Sequence, residues 1–154
     1  MIIATTPGAL SKFGRTPWNF QVTFNTPLQS LDAFVSTILA DNRKFEGGSV
    51  TIDKIVFEPK NLNSLVAAYS GKIEFSRDWT ITVEGLTEVR KLLQATLADW
   101  VNFLFVPAPK PFVIYADHDE FTTFYANTRS NLNLVMNGLL EKGFKQVSNY
   151  QRVH

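Results

Sequence analysis

The sequence predicts an α+β fold: a single domain over residues 1–154, with a mostly antiparallel sheet of about six to seven strands and about four helices packed against it. Three observations predict it. A chain of 154 residues can bury about two-thirds of its unfolded surface in one core and is too short for two ordinary domains. Hydrophobic residues make up 45% and charged residues 19%, the balance of a globular domain rather than a disordered chain. Strand-period and helix-period segments occur in mixed order, and neighbouring strands are mostly joined as hairpins.

The stretch from Trp100 to Tyr125 organises the chain. Val101 to Val106 and Phe112 to Ala116 are rich in β-branched and aromatic residues, which suits buried strands. Pro107, Pro109 and Pro111 remove backbone donors from the connection between them. The pair is expected to form a central hairpin, followed by the polar run Asp117, His118, Asp119, Glu120 and a further strand, Phe121 to Ala126.

In chain order, residues 1–15 carry Pro7, Gly8 and Gly14 among small residues. They are expected to be a loose lead-in, with Ile2 and Ile3 pinned to a sheet edge. Trp18 to Phe24 alternates apolar and polar side chains, the period of a strand with one buried face. Thr26 and Pro27 supply an N-cap and a first-turn proline for a helix to about Asp41, with Leu28, Leu31, Phe34, Val35, Ile38 and Leu39 at helical spacing. Val50, Ile52, Ile55 and Phe57 mark the next strand, and the break at Asp53 and Lys54 implies a bulge or a turn. Leu62, Leu65, Val66 and Tyr69 form a short amphipathic helix closed by Gly71.

Ile73, Phe75, Trp79, Ile81 and Val83 keep one register, which predicts a hairpin with a three-residue loop, Ser76 to Asp78, and Phe75 opposite Trp79. Thr87 is the expected cap of a third helix carrying Val89, Leu92, Leu93, Thr96, Leu97 and Trp100 on its apolar face. Thr128 or Ser130 caps a fourth, with Leu132, Val135, Met136, Leu139 and Leu140 inward, Gly143 as C-cap and Phe144 as its hydrophobic follow-up. Phe144 to Val153 is expected to return as a last strand.

Several function classes are disfavoured. A net charge of +1 supplies no field that would draw the protein onto nucleic acid or anionic lipid. Without cysteine there is no disulfide, no thiolate nucleophile and no cysteine-ligated metal, which fits a reducing compartment. No apolar run approaches the ~18 residues that span a bilayer, and no basic region precedes the N-terminal apolar residues, so a cytoplasmic location and no membrane partner are expected. His118 is the only histidine besides His154, which excludes a multi-histidine zinc site. Neither a nucleophile elbow nor a phosphate loop occurs, and no cofactor is expected.

The densest ionisable cluster is Asp117, His118, Asp119, Glu120, with Tyr115 and Tyr125 flanking it. If the strand persists through Asp119, then Asp117 and Asp119 share a side and a hard cation such as Mg²⁺ fits between them. The plainer reading is a solvated turn, since Asp is a strong turn former. Three carboxylates in four positions repel unless a cation or cationic partner offsets them, and no Lys or Arg adjoins them in sequence. The preferred expectation is therefore a small non-enzymatic domain that binds another protein, a basic one, through Tyr115, Asp117, His118, Asp119, Glu120 and Tyr125. By analogy of role, this describes an immunity- or inhibitor-type protein that blocks a basic toxin or nuclease. The alternatives are a metal-assisted hydrolase using Asp117, Asp119 and Glu120, and a nucleic-acid-contacting accessory protein using the basic ends, Lys12, Arg15, Lys142, Lys145 and Arg152.

Overall fold

Successive side chains of a strand point to opposite faces, and seven strands join into one antiparallel sheet whose two faces pack against different helices. The computed structural model describes residues 1–40, 44–71, 74–148, 150 and 152. Its strands are β1 (Ile2–Thr5), β2 (Phe20–Asn25), β3 (Gly47–Lys54), β4 (Trp79–Glu84), β5 (Asn102–Ala108), β6 (Val113–Ala116) and β7 (Phe121–Ala126), in the spatial order β1-β4-β3-β5-β6-β7-β2. The helices are α1 (Ala9–Arg15), α2 (Leu31–Ile38), α3 (Lys60–Ser70), α4 (Leu86–Ala98) and α5 (Arg129–Glu141).

The expected hairpin is present as β5–β6, with Phe103 opposite Ala116 and Phe105 opposite Ile114, and β5 is the middle strand. Pro107 is tolerated there because β6 pairs only with residues 103–105, so at Pro107 the sheet needs a partner on the β3 side alone.

The two faces of the sheet carry different cores. Phe24, Ile52, Ile81, Phe103, Phe105, Ile114 and Phe124 point to the larger one, where α4 and α5 lie on the sheet, α2 packs between them and α3 rests on α4. On the other face Leu104, Val113, Tyr115 and Tyr125 make a smaller cluster with Leu10 and Phe13 of α1. Residues 1–15 are thus a correction to the expected loose lead-in. Ile2 and Ile3 do pair at the sheet edge, against β4, but Ala9–Arg15 is a helix whose Leu10 and Phe13 cover a sheet face.

Other expectations are corrected where a tertiary partner outcompetes a local signal. Phe75 does not pair with Trp79; β4 lies between β3 and β1, with Ile81 opposite both Val50 and Ile3, and Ile73 falls outside the described residues. Alternation predicts a strand but not its neighbour. Thr26 does not cap a helix, because its hydroxyl bonds that of Thr122 across the sheet at 2.6 Å; a single 3-10 turn, Leu28–Ser30, precedes α2, and Asp41 is outside the described residues. α4 starts two residues earlier than a Thr87 cap implies, behind Gly85 at φ 88°. β3 ends at Lys54, leaving Phe57 exposed, and Tyr69 and Leu140 also face outward. The break at Asp53 is a bulge, with the register shifting between Ile52 and Lys54. Thr128 accepts from the Asn131 N–H as the α5 cap, and Gly143 at φ 87° closes that helix. Of the last expected strand, only a bridge from Gln146 to Phe24 is formed among the described residues; Asn149, Gln151 and Val153 lie outside them.

Candidate functional site

The acidic run is a turn with a fixed shape. β6 stops at Ala116, so Asp117 and Asp119 are not neighbours on a strand; the Asp117 N–H donates to Phe121 O at 3.1 Å and closes a short loop, His118 to Glu120. Glu120 holds φ 71°, the left-handed position of a three-residue hairpin loop where glycine is the low-strain choice. Asp117 is turned inward. Its Oδ1 accepts from the N–H groups of Asp119 (2.9 Å) and Phe121 (3.2 Å), and its Oδ2 from Arg152 Nη1 at 2.7 Å, with both side chains about nine-tenths buried. Asn102 Oδ1 holds His118 twice, accepting from its N–H at 2.8 Å and lying 2.9 Å from ring Nδ1. What the turn offers to solvent is Asp119, with 71% of its side chain exposed, and Glu120.

Tyr115 and Tyr125 belong to the smaller core instead. Tyr115 stacks with Phe13 at 5.9 Å, lies under the Arg152 guanidinium at 4.6 Å and donates its hydroxyl proton to Asp53, which also pairs with Arg77. Tyr125 meets Phe13 edge-on at 5.2 Å. Burial pushes the Tyr125 phenol up to about 12, and burial together with the Asp53 carboxylate lifts Tyr115 further still.

Both phenols are thus held protonated by the fold. Their contribution to stability is complete below the ordinary tyrosine range near 10 and is lost as pH rises through the raised folded values. In a tyrosinate absorbance titration at least two of the four tyrosines should ionise only above about pH 11 and together with loss of structure. Ordinary ionisation of all four near pH 10 in the folded protein would contradict this burial.

Beside the turn lies a groove lined by Leu28, Phe57, Trp100, His118, Asp119 and Glu120. Leu28 and Phe57 are 47% and 54% exposed, and Trp100 is half-buried. Trp100 is there because α4 ends in an unusual way. The Val101 N–H bonds Thr96 O at 3.4 Å and the Trp100 N–H bonds Leu97 O at 3.2 Å, the paired bonds that close a helix when the residue past its cap is left-handed. α5 meets that requirement with Gly143, whereas α4 meets it with Trp100 at φ 55°. A left-handed L-residue costs roughly 1–2 kcal/mol. Two of the four described non-glycine residues with positive φ, Trp100 and Glu120, therefore line one groove. Sequence reasoning placed Trp100 on the inner face of α4. The missed signal was a helix end, Ala98-Asp99-Trp100, without the glycine or asparagine that such an end favours.

Among the described residues no three His, Asp or Glu side chains are placed to hold a metal ion. The basic ends are separated: Lys12 and Arg15 sit on α1 over the smaller core, Lys142 and Lys145 follow α5 on the opposite face, and Arg152 is engaged with Asp117. No helix is long and apolar enough to cross a membrane among the described residues. Compared with known proteins, the chain matches no family model, no curated protein and no solved structure.

Proposed function

We propose that the protein is a non-enzymatic binding domain that docks a basic protein partner in the groove between the His118–Glu120 turn, Phe57, Leu28 and Trp100. The observation that carries this reading is the convergence of two left-handed non-glycine residues, Trp100 and Glu120, on that groove. Backbone strain of this kind persists only where surrounding structure maintains it, and it concentrates at functional sites. Glycine at either position would keep the same backbone with less strain, so what the strain retains there is the Trp100 and Glu120 side chains in the groove.

The chemistry of the groove suits a protein. Exposed apolar residues scattered singly mean little, but Leu28, Phe57 and Trp100 lie together, rimmed by the carboxylates of Asp119 and Glu120. An apolar centre excludes water, while an acidic rim selects and steers a cationic surface. A domain that masks a basic surface in this way acts as an inhibitor or an immunity protein does, and its lack of cysteine suits a reducing compartment such as the cytoplasm. The metal-assisted hydrolase alternative lacks comparable support, since Asp117 spends both oxygens on the turn and on Arg152.

The test is a protein that co-purifies stoichiometrically from the native host, measured against groove variants. Phe57→Ala is expected to weaken binding about tenfold through faster dissociation, and Asp119→Ala to slow association at low salt with little effect at high salt. Glu120→Gly should separate binding from folding: it relieves left-handed strain, raising stability by about 0.5–1 kcal/mol after the added chain entropy of glycine, and it weakens binding. A partner that binds all three variants like the parent protein would remove this groove as the interface.

A further inference from the structure

We infer that Arg152 is a positioning residue for the docking turn: through Asp117 it sets the conformation in which Asp119 and Glu120 are presented. The inference rests on the binding role proposed for that turn, but its geometry stands apart from any partner. Asp117 is the hub. One carboxylate oxygen ties down the N–H groups of Asp119 and Phe121, at either end of the exposed tip, and the other is held by Arg152 at 2.7 Å. The four residues between Ala116 and Phe121 carry three carboxylates, and Arg152 is the cation that the structure brings to them from 35 positions away.

The guanidinium is itself fixed from several sides. Its Nη2 lies 3.3 Å from Thr123 Oγ1, its plane covers the Tyr115 ring at 4.6 Å and approaches that of Tyr150 at 5.8 Å, and the Arg152 N–H donates to Gln21 Oε1 at 3.3 Å. Tyr150 in turn lies 4.5 Å from the Phe121 ring. Arg152 is therefore seated against β6, β7 and β2, the strands that carry and flank the turn. A nine-tenths buried carboxylate without its cation would rehydrate by swinging outward, and its other oxygen would leave the two amides that shape the tip.

Removal of the charge from both partners has the opposite consequence. Asparagine at position 117 has no need of a cation, yet its side-chain oxygen still accepts from the amides of residues 119 and 121. The experiment is amide hydrogen exchange followed by NMR on the full chain. Arg152→Gln should accelerate exchange at Asp119 and Phe121 by about tenfold or more relative to amides in β5, and Arg152→Gln combined with Asp117→Asn should restore most of that protection. A residue that only stabilised the fold would raise exchange across the sheet and would not be rescued by a second loss of charge.

Unchanged exchange at both amides in Arg152→Gln, or acceleration that the second substitution does not reverse, overturns the inference. Should Arg152→Gln fail to fold, the double variant is compared with Asp117→Asn alone, and the inference is overturned if the turn amides of the double variant exchange at least tenfold faster. The result is independent of the groove's role. Loss of the binding reading would appear as groove variants that bind normally, with the exchange pattern intact.

Discussion

Phe124→Ala is expected to destabilise the protein by about 3–5 kcal/mol, the largest effect of any single truncation considered. Phe124 is fully buried in β7, opposite Val22 of β2 and Ile114 of β6, so its ring fills the larger core where the two strands meet. It makes edge contacts with Phe24 at 6.0 Å and Phe112 at 5.7 Å, and Phe112 continues the series to Phe45 at 6.1 Å. Edge-to-face pairs add to the burial term, and neither neighbouring strand can close over the space left by a missing ring without shifting the sheet. The measurement is the urea midpoint at unchanged slope. The matched control is Phe57→Ala, an exposed ring in the groove, which should change stability by no more than about 0.5 kcal/mol. If Phe124→Ala cost no more than Phe57→Ala, the assignment of the larger core would be wrong.

That contrast between two phenylalanines also shows how far the sequence could be read. The aromatic and β-branched content of Phe121 to Ala126 identifies a strand without any structure, but its apolar residues fall on both parities, so only the packing assigns Phe124 to the larger core. Phe57 falls on the apolar register of its segment, and it faces solvent because β3 ends at Lys54, one residue past the Asp53 break that the sequence does disclose. Local signals located elements and caps such as Thr128 and Gly143, and failed where pairing decides: β4 joins β1 and β3, a choice made by strands far away in sequence.

The acidic turn follows the same division. Its polarity and position between β6 and β7 are written in residues 117–120, but the cation at Asp117 comes from Arg152, and the burial of Tyr115 and Tyr125 comes from α1 in a segment that reads as a lead-in. The groove was least legible. It joins Leu28, Phe57, Trp100 and the turn, four separate stretches, and depends on a left-handed Trp100 that helix periodicity assigns to the inner face.

Asp99→Ala is expected to cost about 2–4 kcal/mol, although in sequence Asp99 is a single polar residue after a helix. α3 begins behind Pro59, which has no side-chain acceptor for the first-turn N–H groups. Asp99 supplies it from the far end of α4: Oδ1 accepts from the Asn61 N–H at 3.1 Å and from Asn61 Nδ2 at 2.8 Å, and Oδ2 from the Leu62 N–H at 2.8 Å. Asp99 is buried, so water does not readily replace these bonds, and the positive end of the α3 dipole favours a carboxylate at this point. Alanine leaves two backbone donors without an acceptor, the buried Leu62 N–H at a cost of about 1–3 kcal/mol and the N–H of the exposed Asn61 at less. Asparagine keeps one acceptor oxygen and should lose roughly half as much. Chemical denaturation of the three proteins should therefore rank Asp above Asn above Ala, with amide exchange at Leu62 accelerated in the same order. Because Trp100 follows Asp99 directly and lines the groove, Asp99→Ala should also weaken binding of the partner proposed for that groove. An alanine variant within about 0.5 kcal/mol of the parent would mean that α3 is held by its packing on α4 alone.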